Sequence, residues 1–228
     1  RHIDRGGEIH LREKAEKIII ENRRVTGVKT GRAIYPAPVV LFAAGLPLIA
    51  DLLDQTLLPA AVEKYAKNIE HSSGLVIDFI TNRPITGIRS GILGVDVPIW
   101  ARFQSSADPS FTPAGKYLST WGIMLPWHFG GDASVVAGAE QKMKSVISAV
   151  FPDFLPAVVD ERKMVATVMN GNVLTPAQSK PNRPDVECPG IEGLYFIGDT
   201  VRGDGCSGDI SFSSAMKAAD RILSDRKP

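Results

Sequence analysis

Short runs of alternating apolar and polar residues open the chain, at 8–11, 15–21 and 24–29. Residues that tight turns favour punctuate them, Gly6-Gly7, Asn22-Arg23 and Thr30-Gly31. They predict a small meander of β-hairpins. The next run, Val39-Val40-Leu41-Phe42-Ala43-Ala44-Gly45, is apolar at every position, the pattern of a strand buried on both faces as in a parallel sheet. Over 59–70 the spacing becomes helical. Ala60, Ala61, Val62, Tyr65, Ala66 and Ile69 supply the apolar side, and Pro59 sits where a first turn tolerates it.

Strand patterns return at 74–80, 95–104, 116–125 and 160–168, around one long helical stretch at 132–151. Its stripe of Val135, Val136, Ala139, Met143, Val146, Ile147 and Val150 repeats every turn, with Glu140 and Lys144 paired on the wet side and Pro152 as the stop. An antiparallel sheet carrying helices is predicted for this middle. A polar, proline-rich stretch at 175–189 predicts the crossing out of it. The tail reads as a strand at 194–197, a glycine-rich loop at 198–208 and a closing helix at 209–223. That helix has Phe212, Ala215, Met216, Ala219, Ile222 and Leu223 as its buried side. The predicted class is α+β, with an α/β layer made of 1–45 and 185–228 and an antiparallel-sheet layer spanning 46–184.

Composition removes several classes. With 228 residues, 44% apolar and 22% charged, the chain has enough material for a real core and too little charge for wholesale disorder. Lys and Arg number 26 against 25 Asp and Glu, so there is no electrostatic drive toward nucleic acid or anionic lipid. The longest apolar run, 39–50, is broken by Gly45 and Pro47 and falls short of the about 20 residues a membrane span needs. Two cysteines, Cys188 and Cys206, build no disulfide framework, which leaves a reducing, cytoplasmic setting as the expectation. The start carries neither an initiator Met nor a signal pattern, and reads as a chain entered partway.

The chemistry concentrates in the tail. Gly203-Asp204-Gly205-Cys206-Ser207-Gly208 satisfies G-x-G-x-x-G, yet the preceding strand ends five residues too early and no second strand follows the helix. A complete dinucleotide-binding unit is therefore not expected. The loop still suits a polar or anionic ligand, because glycines let backbone come close and a helix N-terminus offers free N–H groups and partial positive charge. A plain strand-loop-helix connection capped by Asp209 satisfies the same spacing.

The run Pro189-Gly190-Ile191-Glu192-Gly193-Leu194-Tyr195-Phe196-Ile197-Gly198-Asp199-Thr200 is followed by the glycine loop and by Ser213-Ser214-Ala215-Met216-Lys217-Ala218-Ala219. Together they resemble the C-terminal flavin motif of FAD-dependent oxidoreductases of the phytoene desaturase and amine oxidase superfamily. The opening segment, Gly6-Gly7-Glu8-Ile9-His10-Leu11, then Val25-Thr26-Gly27-Val28, then 39–45, resembles the family's lead into its adenine-side sheet. Phe151-Pro152-Asp153-Phe154 resembles its substrate domain.

The resemblance implies FAD as cofactor. Asp199 would hold the ribityl or pyrophosphate part with Gly198 packed close, and Gly205 would belong to the same cradle. The backbone of Gly208, Asp209 and Ile210 would lie at the flavin pyrimidine edge, where a helix N-terminus stabilises negative charge. Residues 46–184 would wall a pocket for a small or apolar substrate that gives up a hydride. No catalytic side chain and no metal are implied. The family's N-terminal Rossmann half has no counterpart here, so the chain corresponds to the C-terminal part of such an enzyme, with the other half expected in the same polypeptide or in a partner subunit. A non-catalytic binding or partner subunit of the same fold is the alternative. Relatives place a proline shortly before the helix glycine, where this chain has Cys206-Ser207.

Other residues invite separate readings. Cys206 before a helix suits a thiolate nucleophile, which would need His2, His10, His71 or His128 as base. Asp199, Asp204 and Asp209 recur every five residues without calcium-loop spacing. Trp100, Trp121, Met124, Trp127 and His128 suit either core or pocket lining, while Arg83, Arg89 and Arg102 read as solvated.

Overall fold

The structure, a computed structural model, describes residues 2–54, 56–126 and 128–225. In chain order its strands and helices are β1 (Ala15–Glu21), β2 (Arg24–Thr30), β3 (Ile34–Pro36), β4 (Val40–Phe42), α1 (Ala60–Asn68), β5 (Ser72–Thr81), β6 (Gly91–Leu93), β7 (Ile99–Arg102), α2 (Gln104–Ala107), β8 (Tyr117–Leu125), α3 (Ala133–Val150), α4 (Phe154–Ala157), β9 (Val158–Asn170), β10 (Leu194–Phe196) and α5 (Gly208–Asp225). They form two compact units, Arg1–Ile69 with Gly171–Pro228, and Glu70–Asn170. The class is mixed α+β.

In the first unit β1, β2 and β3 make the meander. Asn22 and Arg23 both take positive φ, 50° and 62°, which matches the twist of a two-residue hairpin turn. Residues 8–11 form no strand. Ile9 and Leu11 stay exposed, and the His10 ring bonds to Glu8 and Tyr35 instead. The third strand is β3, too short for alternation to reveal it.

The apolar run at 39–45 contributes β4, which pairs in parallel with β10 in the register Leu194↔Val40, Tyr195↔Leu41 and Phe196↔Phe42. Phe42, Leu194 and Phe196 are buried in one cluster with Leu46, Ile49, Leu53, Leu58, Val62 and Ala66. That shared core draws 46–69 into this unit. Residues 171–184 join it as well, since Gly171 and Asn172 bond to Asp199. The boundaries expected at 45/46 and 184/185 therefore fall at 69/70 and 170/171, and the proline-rich stretch lies inside the first unit.

The buried side of α5 differs from the expected one. Ile210, Ser214 and Ala218 are buried and Ile222 is half-buried, whereas Phe212, Met216 and Leu223 are 76%, 69% and 65% exposed and Ala219 is exposed too. Small residues allow close packing, and Ala218 sits with Tyr195 of β10 and Val186. Apolar spacing alone gives two candidate stripes on this helix, and it favoured the bulkier one.

The second unit is a single antiparallel sheet in the order β6-β7-β8-β5-β9. The strand expected over 95–104 is confined to β7, and β6 precedes it. Alternation puts Leu75, Ile77, Phe79, Ile99, Ala101, Phe103, Trp121, Ile123 and Leu125 in one buried cluster with Met143 and Ile147 of α3 and Phe154 of α4. Trp121 is thus core, its ring edge-on to Phe154 at 5.5 Å and to Phe103 at 5.8 Å. Trp127 lies outside the described residues. Asp132 caps α3 by accepting from the Ser134 N–H at 2.8 Å, and Val150 at its far end is 58% exposed. The expected Glu140–Lys144 pair, 2.8 Å apart, extends to Glu161 and Lys163 of β9 as a four-charge surface network. Among the described residues no helix is long and apolar enough to cross a membrane.

Candidate functional site

Parallel strands point their carboxyl ends the same way, and open α/β sheets bind ligands there. Both ends of the β4–β10 pair run into glycine, Gly45 at φ +87° and Gly198 at φ +120°, values that side-chain-bearing residues rarely adopt. The two loops are tied together, because the Leu46 N–H donates to Thr200 Oγ1 at 3.2 Å. Asp199 is half-buried, with Oδ2 accepting from the Gly171 N–H at 2.8 Å and its carbonyl accepting from Asn172 Nδ2 at 3.3 Å. Gly198 donates its N–H to the buried Ser214 Oγ at 3.0 Å, which fastens the strand end to α5. A Cβ built on Gly198 meets nothing within 4 Å. The backbone here is held rigidly and left open to approach.

The glycine loop is packed differently at each position. A Cβ on Gly203 would come within 2.4 Å of the Ile210 carbonyl oxygen, and one on Gly205 within 2.4 Å of the Asp209 Cβ, so both glycines serve close packing. Gly208 is open. Lys180, Lys217 and Ser213 surround Asp204 and hold its carboxyl far below the usual carboxylate range. The N–H groups of Asp209 and Ile210 donate to the carbonyls of Cys206 and Ser207 at 3.0 and 3.1 Å, and the Ile210 side chain is buried. These two expected ligand donors are therefore engaged within the loop. Of the six expected cradle residues, Gly198 and Gly208 present an open face, Asp199 is half-buried and tied to Gly171 and Asn172, and Gly205, Asp209 and Ile210 shape the loop.

Two residues that sequence reading missed stand near this centre. Arg183 is 3% exposed, its Nε donates to the Gln178 carbonyl at 2.8 Å, and its Nη1 has no partner among the described residues. The Tyr65 hydroxyl has none either, and burial pushes this phenol up to about 12, with the Arg183 charge opposing and the Asp199 charge adding to the rise. A buried guanidinium short of a partner is costly, and this one borders a cavity of about 430 Å³ that Gly203 and Gly205 also line. Only folding brings Tyr65 and Arg183 toward Asp199.

Several residues of the competing readings have partners of their own. Asp199, Asp204 and Asp209 turn to different partners, the last to the Cys206 N–H at 3.5 Å. The exposed Cys206 thiol donates to a carboxylate, Asp209 Oδ2 at 3.9 Å, and His10 is engaged by Glu8 and Tyr35. Tested against FAD, the open backbone at Gly198 and the half-free carboxylate of Asp199 fit a polyhydroxylated chain lying alongside. The engaged N–H groups of Asp209 and Ile210 do not fit donors to a flavin edge.

No family model and no curated protein sequence matches this chain. Solved structures do match it in fold. An oxidoreductase from Methanosarcina mazei superposes with a TM-score of 0.76 at 22% identity, over 96% of this chain and 51% of its own. Cyclohexylamine oxidase from Brevibacterium oxydans gives 0.61 at 13%, over 93% and 48%, and reduced UDP-galactopyranose mutase gives 0.65 at 12%, over 92% and 46%. The chain spans about half the length of these proteins. At such identities the likeness establishes the fold, which this chain shares with oxidoreductases.

Proposed function

We propose that this chain is the C-terminal portion of an FAD-dependent oxidoreductase of the phytoene desaturase and amine oxidase type, acting on a small or apolar substrate. The observation that carries the reading is the parallel β4–β10 pair, with Gly198 open and Asp199 half-buried beside it at the carboxyl end. FAD, when bound, supplies the acceptor for a substrate hydride. The chain's own part is to bind and orient. Asp199 accepts from hydroxyl groups of the ribityl side, Gly198 lets the cofactor lie against backbone, and Ser214 fixes that backbone in place. The Arg183 guanidinium supplies positive charge from within the same unit.

The same unit also carries surface for the nucleotide-binding half. β4 pairs with β10 on one side and with no other strand among the described residues, whereas β10 is bridged on its far side by Glu187. Phe212, Met216 and Leu223 are an exposed apolar row on α5, and a Rossmann half in the same polypeptide or a partner subunit is what covers them. Flavin absorbance and fluorescence titration of this chain, alone and joined to that half, tests the reading. Tight binding by the joined protein and weak binding by the chain alone is expected, and absence of binding by both removes it. The alternative, a non-catalytic subunit of the same fold, draws support from the engaged Asp209 and Ile210 N–H groups. It predicts FAD binding without bleaching by any amine or polyene substrate.

A further inference from the structure

A cavity of about 590 Å³ in the second unit opens beside β6, β7 and α2. It is wholly separate in sequence from the glycine loop. Its walls are apolar, with Leu93, Trp100, Phe103 and Phe111 among them. Trp100 forms a fixed platform, because its ring lies over Gly122 so closely that a Cβ there would fall 2.2 Å from its Cε2. Phe111, 61% exposed, adds a second ring to this wall.

Two cations sit in this apolar wall, Arg89 and Arg102, and neither has an acidic partner among the described residues. The acids that their setting offers are engaged elsewhere. Asp78 lies in the same cross-strand row as Arg102 but is separated from it by Thr120, which donates to Asp78 Oδ1 and is itself held by Gln104 Nε2 at 2.6 Å. Asp108, just past α2, accepts from the Ser110 N–H at 2.9 Å. An apolar slot with an aromatic floor and two uncompensated guanidiniums selects an anion attached to a flat or oily body.

The geometry points to a binding site on the second unit for an aromatic or aliphatic carboxylate, its apolar body against Trp100 and its carboxylate between Arg89 and Arg102. The site goes beyond the flavin reading and does not rest on it. Calorimetric titration of the full chain with 2-naphthoate, and with the neutral 2-naphthamide of nearly equal shape, tests it. The carboxylate is expected to bind at least roughly ten-fold more tightly, with quenching that disappears in Trp100→Phe. Arg89→Gln combined with Arg102→Gln, both at exposed positions that leave folding intact, is expected to erase the preference. Equal affinity for the two compounds, binding of neither, or a preference that survives the double substitution overturns the assignment. None of these outcomes touches FAD binding, which is measured separately.

Discussion

Replacing Ser214 with alanine isolates the fastening between α5 and the end of β10. The Ser214 Oγ, fully buried, accepts from the Gly198 N–H at 3.0 Å and lies 3.1 and 2.9 Å from the carbonyls of Gly198 and Ser211. Alanine fits the space but leaves the Gly198 N–H without its acceptor, at a cost of about 1–3 kcal/mol. For a chain of this size each kcal/mol moves the melting temperature by about 2–4 °C, so scanning calorimetry should show a fall of roughly 2–12 °C. Ser213→Ala is the control, since that hydroxyl bonds to the exposed Asp204, accepting from its N–H and donating to its carboxylate, and its loss should lower the melting temperature less than Ser214→Ala does. FAD affinity should also weaken in Ser214→Ala although the side chain itself is sealed away. A melting temperature within about 1 °C of the parent would refute the argument, because Gly198 would then be held by something other than this hydroxyl.

Asp199→Asn keeps an acceptor for Gly171 but loses the charge, and FAD affinity should fall roughly ten-fold or more, read by flavin fluorescence; an unchanged affinity removes Asp199 from the site. Tyr65 ionises at about 12 in the folded protein and at about 10 when unfolded. Folding stability should therefore be fully present below the unfolded value and decline as pH rises through that window. Tyr65→Phe should shrink that alkaline loss, leaving the part that the buried Cys188 thiol contributes in the same direction, and should keep neutral stability equal or slightly higher, because an unpartnered hydroxyl is removed; denaturant melts across pH check both. The depressed Asp204 carboxyl gives the opposite dependence, with its stabilisation present above the unfolded carboxylate value and lost as pH falls below it, an effect that Asp204→Asn should remove. Gly122→Val should drive the Trp100 ring off its platform, visible as altered near-ultraviolet dichroism.

Patterns with one dominant period were legible before folding. The unbroken apolar run at 39–45 announced a strand in parallel pairing but overstated its burial, since β4 covers only Val40–Phe42 and Leu41 is 44% exposed, while the helical repeat of 135–147 announced α3 with its wet-side Glu140–Lys144 pair. What failed was any reading in which two faces competed. On α5 the bulky residues Phe212, Met216 and Leu223 outweighed the small ones, yet the small ones pack, because close approach to β10 rewards Ser214 and Ala218. The boundary at 45/46 failed for a related reason. A break in strand pattern marks the end of an element, and the core that Leu46 and Ile49 enter is set by contacts far along the chain. Tyr65 and Arg183 carried no local signal, since their meaning comes from distance to Asp199.

The glycine loop shows why motif and site part company. G-x-G-x-x-G was met in full, and two of its glycines are required, but for packing against Ile210 and Asp209 rather than for admitting a phosphate. The open backbone lies five residues earlier, at Gly198, where the constraint is a φ of +120° and a free approach. A ligand can use only those N–H and carboxylate groups that the fold has not already engaged, and the loop engages Asp209 and Ile210 by folding on itself. If a cofactor is to draw on those N–H groups, the turn at Cys206-Ser207 must open, and Ser207 holds a left-handed φ of 49° that is strained for serine. Cys206-Ser207 is thus a turn whose unwinding releases two donors. Its conformational cost, set against the donors it frees, fixes how readily the loop can offer them to a ligand.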